Sequence, residues 1–126
     1  MATQNDFYRS FQVNAAMSAN RRVAISNNGK IGYASATELG VGILQEDTSA
    51  GSYESPSVRL YGTGTLRVAI SAITTTGDSL ICAANGLVVP KGATTSAIMT
   101  FGTALSGAAA SGQLIEAQQL FYNVAV

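Results

Sequence analysis

The chain has 126 residues, a length that fits one domain and is enough to bury a core without disulfides or a structural metal. Its seven basic and seven acidic residues give a formal net charge of zero, and it has no histidine. The charge balance argues against a nucleic-acid binder, and the missing histidine removes the commonest general base and transition-metal ligand. Charged residues make up only 11% of the chain, which suits a protein packed against others, although a soluble domain with a Ser/Thr surface is the alternative.

No targeting or membrane segment is predicted. The first residues are polar and lack a basic stretch followed by an apolar run, and no apolar stretch approaches the ~20 residues of a membrane span. Cys82 is the single cysteine, so an internal disulfide is excluded and the redox compartment stays open. We expect synthesis in a cytoplasm, with neither a membrane nor a nucleic acid as partner.

Residues 1–11 are predicted to form an N-terminal arm in front of a single domain that spans residues 12–126. The arm shows no regular hydrophobic period, and it contains Phe7, Tyr8, Arg9 and Phe11. Aromatic and arginine side chains dominate the energetics of protein interfaces. These four residues are therefore the predicted contacts with a partner protein, and a frayed terminus is the alternative.

The first strong signal is a β-hairpin around an Asn-Gly turn. Val23 and Ile25 alternate with Arg22, Ala24 and Ser26, and the alternation resumes at Ile31 and Tyr33 after Asn27-Asn28-Gly29. Asn and Gly tolerate the positive φ that tight hairpin turns require. A period of two continues through Leu39, Val41 and Ile43.

The longest alternating run extends from Val58 to Ser71. Apolar residues stand at positions 58, 60, 66, 68 and 70, and the phase survives across Gly62-Thr63-Gly64. Because glycine lets a strand curve sharply, the run predicts one long strand bent at Gly62 and Gly64.

Further strands are predicted at residues 80–83, 87–89, 98–105 and 114–124, with Asn85-Gly86 as a second turn. Helix signals are thin, and short strands separated by Gly-rich turns are typical of an all-β sandwich or barrel. A faint repeat is also present. Gly42-Ile43-Leu44 and Gly102-Thr103-Ala104-Leu105 are each followed by a small-residue loop and a further strand, although chance similarity in a Gly/Ala-rich chain is the alternative.

No group of residues predicts catalysis, a metal or a cofactor. Cys82 stands in an apolar strand, which favours a buried, inert thiol. Glu46, Asp47 and Glu54 could suggest a glycosidase pair or a calcium site, but their surroundings and spacing favour a solvated acidic loop. The glycines near residues 62–64 and 91–94 match neither a dinucleotide-binding loop nor a phosphate-binding loop.

An ordered set of short patterns across residues 20–120 resembles the small capsid decoration (cement) proteins of tailed bacteriophages. The patterns are residues 38–47 (ELGVGILQED), 50–51 (AG), 58–66 (VRLYGTGTL), 77–80 (GDSL), 84–88 (ANGLV), 102–105 (GTAL) and 110–112 (ASG). The resemblance implies a small β-barrel or tulip-like domain on the outside of a phage head. It also implies contact with the major capsid protein, self-association as a trimer (a dimer being the alternative), and stabilisation of the shell by bridging its subunits. Family members often use an N-terminal arm, which fits residues 1–11.

Two other classes of function are the alternatives. A head-fibre base or a carbohydrate-binding surface module is the main alternative, and Tyr53 is the only good aromatic platform for a sugar. An enzyme is disfavoured because the chain has no histidine and no convincing active-site pattern.

Overall fold

The computed structural model describes residues 8–13, 15–49, 55–62, 65–92 and 99–119. Within these ranges the chain forms ten short β-strands and one three-residue 3-10 turn, Ala84–Gly86. The strands are β1 (Tyr8–Ser10), β2 (Arg22–Ile25), β3 (Ile31–Tyr33), β4 (Gly42–Leu44), β5 (Ser57–Leu60), β6 (Thr65–Ala69), β7 (Ser79–Cys82), β8 (Val88–Pro90), β9 (Thr100–Ala104) and β10 (Leu114–Gln119).

The strands form two antiparallel five-stranded sheets. The first sheet has the order β1-β5-β4-β2-β3, and the second has the order β6-β10-β9-β7-β8. The all-β prediction is therefore confirmed, and within it the architecture is a sandwich-like pair of sheets, not a closed barrel. The reason is that each named strand pairs only with strands of its own half of the chain.

Both predicted Asn-Gly turns are hairpins. β2 pairs with β3 and β7 pairs with β8, each in antiparallel register. Gly29 and Gly86 adopt φ of +80° and +73°, the left-handed region that favours glycine. Asn85 also lies there, at φ 57°.

The predicted single strand over Val58–Ser71 is wrong. Its two parts are β5 and β6, which lie in different sheets, and of the glycines proposed as the bend Gly64 lies outside the described residues. β5 bonds to β1 and β4, whereas β6 bonds to β10. The alternation keeps the same phase because β5 and β6 each turn their apolar residues inward, although the two strands belong to different sheets.

The two sheets have the same topology, because advancing every strand number by five converts the first order into the second. We call β1–β5 the first repeat and β6–β10 the second repeat. The two repeats also form backbone hydrogen bonds at equivalent positions. Asn20 N–H donates to Leu44 O at 2.7 Å, and Gly77 N–H donates to Ala104 O at 2.8 Å, in each case just before the first strand of the hairpin. The repeat suggested by the sequence is therefore structural.

Each repeat also encloses its own core at matching positions. In the first repeat these are Val13, Met17, Val23, Ile31, Leu44 and Val58, and their counterparts in the second repeat are Ile70, Thr74, Leu80, Val88, Ala104 and Ala117. The correspondence follows from strand register and from the parallel bridges Val13–Ile31 and Ile70–Val88. All twelve side chains are buried.

β4 connects the two cores because it is buried on both faces. Successive side chains of a strand point to opposite sides. Leu44 accordingly packs into the first core, while Ile43 packs into the second core beside Leu66 and Phe101. At β4, the outer face of the first sheet is thus covered by the second repeat.

Candidate functional site

The predicted contact residues are brought together at one edge of the first sheet, apart from Phe7, which lies outside the described residues. Tyr8 and Arg9 belong to β1, the edge strand that pairs with β5, and the Tyr8 side chain is 44% exposed. The guanidinium of Arg9 lies over the Phe11 ring, 5.4 Å from its centroid. Phe11 itself packs partly against the first core, and its N–H donates to Pro56 O at 3.3 Å. Of the predicted arm, residues 8–10 are thus part of the first sheet.

The first hairpin turn lies beside these residues. Ile31 N–H donates to Gln12 O at 2.8 Å, and Val13 forms a parallel bridge with Ile31. The N-terminal segment therefore runs alongside β3 next to Lys30. Ile25 pairs with Ile31 from the other side, and its side chain is 46% exposed. Aromatic, aliphatic and basic side chains share this end of the first repeat.

Arg22 is the feature that the sequence did not reveal. The alternation places it on the polar face of β2, yet its side chain is fully buried. Its guanidinium donates hydrogen bonds to backbone carbonyls of both repeats, which ties β2 to the turn between β7 and β8. The acceptors are the carbonyl oxygens of Ser35 (3.2 Å), Glu38 and Leu39 (3.4 Å) in the first repeat, and of Ala83 (2.5 Å) and Leu87 (3.0 Å) in the second.

Burial lowers the pKa of Arg22, an effect opposed by interaction with Cys82, Tyr61 and Glu38. Burial likewise raises the pKa of Tyr61 and of Cys82, and the charge of Arg22 opposes both shifts. The Tyr61 hydroxyl donates to Leu39 O at 2.7 Å. The arrangement holds the two repeats together, because Arg22 and Tyr61 donate hydrogen bonds to backbone carbonyls. One sequence signal could have revealed it: Arg21 directly precedes β2, which begins at Arg22, so an extended chain would point the two side chains to opposite sides.

Two of the acidic residues that could suggest a catalytic or calcium site accept hydrogen bonds from backbone N–H groups. Asp47 Oδ1 accepts the Ala19 N–H at 2.8 Å, and Glu46 Oε1 accepts the Ser57 N–H at 2.9 Å. Glu54 and Tyr53 lie outside the described residues. Within the described ranges, no group of three or more His, Cys, Asp or Glu side chains could hold a metal ion. The helical content of that part of the chain includes no segment long and apolar enough to span a membrane.

A polar groove of about 460 Å³ runs along the seam between the repeats. Its lining residues are Asn20, Gln45, Arg59, Thr65, Leu66, Arg67 and Glu116. Arg59 crosses the seam by donating from Nη1 to Thr65 O at 2.5 Å, and Arg67 stands opposite Glu116 in the β6–β10 register. The lining contains no aromatic ring, so the groove lacks a stacking platform for a sugar.

Comparisons with known proteins show a likeness in fold. No protein-family model and no curated protein sequence matches this chain. The fold is similar to a solved structure, the N base of head fiber gp8.5 in bacteriophage phi29, with a TM-score of 0.73 and 20% sequence identity. The alignment covers 93% of this chain and 96% of that chain. The shared fold therefore extends over nearly the whole length of both proteins.

Proposed function

We propose that this chain is a structural protein of a bacteriophage head, and that it serves as the base that holds a head fibre on the outer surface of the shell. The observation that carries the proposal is the fold likeness to a head fiber base over 93% of this chain. A cement role, in which the protein stabilises the shell by bridging subunits, is the second candidate, and it is favoured by the sequence patterns that resemble decoration proteins.

The physical properties of the chain support an attached structural module. Its charge content is only 11%, which defends a free monomer poorly against association. Hydrogen bonds join the two repeats, from Arg22 to Ala83 O and from Ala69 N–H to Asn20 O at 2.7 Å.

The partner in this proposal is the major capsid protein, and the contact includes Tyr8, Arg9 and Phe11. Each such side chain can contribute about 1–3 kcal/mol to an interface. Because tethering raises the effective concentration of the second and third contacts, a trimer on the shell would bind more tightly than a monomer.

Binding to heads tests the proposal directly. Purified protein is mixed with empty expanded heads of the phage that encodes it, and the bound fraction is measured by pelleting. Saturable binding is expected, with a stoichiometry set by the symmetry of the shell. Absence of binding to intact heads at micromolar concentrations would contradict both the base and the cement roles.

The heat resistance of the decorated heads then separates the two roles. A cement protein raises the temperature at which the shell disassembles, because it bridges subunits that otherwise part. A fibre base binds without that increase. An unchanged disassembly temperature at full occupancy supports the base, and a clear rise supports the cement role.

A further inference from the structure

Equivalent positions of the two repeats differ in burial at one end. In the second repeat, Leu66 and Cys82 are 2% and 5% exposed, and Gly86 is also buried. By strand register and turn position, their counterparts in the first repeat are Arg9, Ile25 and Gly29, and all three are exposed. We call Leu66, Cys82, Gly86 and Leu87 the closed end, and Arg9, Ile25, Gly29 and Lys30 the open end.

The first repeat covers the closed end. Ile43 packs into the second core beside Leu66 and Cys82, and the Tyr61 ring meets the Phe101 ring edge-on at 6.1 Å. Hydrogen bonds hold the turn as well. Arg22 donates to the carbonyl of Leu87, and Gly86 N–H donates to Ala34 O at 2.8 Å. This end of the second repeat is thus covered by the first repeat.

The open end has a different chemistry at the same positions. Leu66 and Leu87 are replaced by Arg9 and Lys30, while Ile25 keeps an aliphatic side chain where Cys82 stands. The described segments 8–13 and 25–31, which form this surface, carry two cations and no carboxylate. An apolar centre flanked by cations complements a partner surface that has an apolar centre flanked by carboxylates.

A second copy stacked head to tail fits the open end poorly. Such a copy would present the outer face of its second sheet, where Ser79 and Thr103 occupy the positions of Arg22 and Ile43. It would therefore offer neither the guanidinium nor the aliphatic side chain that closes the second repeat.

We propose that the open end docks on the shell protein of the head, at a site whose apolar centre is flanked by carboxylates. This inference rests on the proposed function and extends it. The contact surface includes the first hairpin turn as well as the N-terminal residues, and it selects an acidic partner.

Charge reversal and matched controls test the proposal. The test variants are Ile25→Asp and the double variant Arg9→Glu/Lys30→Glu. The controls place the same changes on exposed residues of the second repeat, as Ile73→Asp and the double variant Arg67→Glu/Lys91→Glu. Circular dichroism and thermal melts establish that each variant is folded, and Arg9→Ala/Lys30→Ala serves as a milder pair if the charge reversal does not fold.

Affinity for empty heads is the measurement. The open-end variants are expected to bind about tenfold more weakly or worse, while the controls stay within about twofold of the wild type. Wild-type binding should also weaken as salt is raised, and the alanine pair should show a smaller salt dependence.

The outcomes separate the two proposals. If the wild type binds heads and folded open-end variants bind within about twofold of it, the open end is not the docking surface, although the proposed function stands. If the wild type does not bind heads, both are overturned. If the variants lose self-association in sedimentation but keep head binding, a second copy occupies the open end and the inference is wrong.

Discussion

The first and second repeats have the same strand order and the same six core positions, yet they differ in the residues beyond those six positions. The first repeat contributes Arg22 and Ile43 to the contact between them, and the second contributes Leu66 and Cys82. The equivalent residues on the other side of each repeat, Ser79 and Arg9, are exposed. Two units of the same topology are thus joined head to tail. The first repeat leaves the end that contains Arg9 exposed, and the second leaves the face that contains Ser79 exposed.

The comparison shows that topology and contact surface are specified separately. Small or apolar residues at six interior positions suffice for the repeat, since even Thr74 and Ala117 serve where Met17 and Val58 stand. Which end of a repeat is buried depends on a few residues outside those positions. Matched substitutions at equivalent sites in the two repeats measure how much those residues contribute to stability.

The largest difference is expected at Arg22 and its counterpart Ser79. Arg22→Met removes the donor shared by buried carbonyls of both repeats, and each carbonyl left without a partner costs about 1–3 kcal/mol. We expect a loss of roughly 3–5 kcal/mol in the free energy of unfolding. Ser79→Ala, at an exposed site, should change it by less than about 0.5 kcal/mol.

Denaturant unfolding of the two variants provides the measurement. Arg22→Lys, which keeps the charge but loses the planar set of five donors, should fall between Arg22→Met and the wild type. A loss below about 1 kcal/mol for Arg22→Met would show that the carbonyls find other partners, and that the seam does not depend on the guanidinium.

The two turn glycines give the next largest difference. Both have positive φ, so alanine is strained at either position by about 1–2 kcal/mol. At Gly29 an added Cβ meets nothing within 4 Å, but at Gly86 it would lie 2.5 Å from Arg22 O. Gly86→Ala should therefore cost about 3 kcal/mol and Gly29→Ala about 1 kcal/mol. If thermal melts show equal losses of stability for the two variants, the turn at Gly86 does not pack against the first repeat.

A smaller difference is expected at Cys82 and its counterpart Ile25. Cys82→Ser puts a hydroxyl into an apolar core, with an expected cost of about 1–3 kcal/mol. Ile25→Ser removes a side chain that is 46% exposed, so its cost should stay below about 1 kcal/mol. The reverse order in urea unfolding would mean that the first repeat, not the second, is closed at this end.

The smallest effect concerns the ionisation of Cys82. Burial raises its pKa, so the folded chain retains the thiol proton after the unfolded chain has lost its own. The resulting stability is present in full below the ordinary value of 9.0 and decreases as the pH rises above it. The unfolding free energy of the wild type should therefore fall more between about pH 8 and 10 than that of Cys82→Ala. Parallel pH profiles for the two proteins would contradict this.

Thiol labelling tests the same burial at neutral pH. Cys82 is 5% exposed and its thiolate is disfavoured, so modification of the native protein should be at least about a hundredfold slower than in denaturant. Rapid labelling of the native protein would show that the closed end opens readily.

Short-range patterns in the sequence predicted much of the local structure. The two Asn-Gly turns and the hairpins around them follow from alternation and from the left-handed φ that Gly29 and Gly86 adopt. The repeat was visible at Gly42 and Gly102, which lie at equivalent positions of β4 and β9. Most other matching positions hold different residues, because a core position requires only a suitable volume.

Only the tertiary structure shows which strands and turns pack against one another. Alternation shows that a strand has two faces, but it does not reveal which partner lies on each face. Val58–Ser71 kept one phase, yet β5 and β6 bond to different sheets, and hydrogen-bond partners are a property of the assembled fold. Arg22 resembled a solvent-facing residue, and its burial depends on carbonyls that lie 61 and 65 positions away along the chain. Non-local contacts of this kind form only when the two repeats pack together. The tertiary structure therefore decided which residues are buried between the repeats and which remain exposed at the open end.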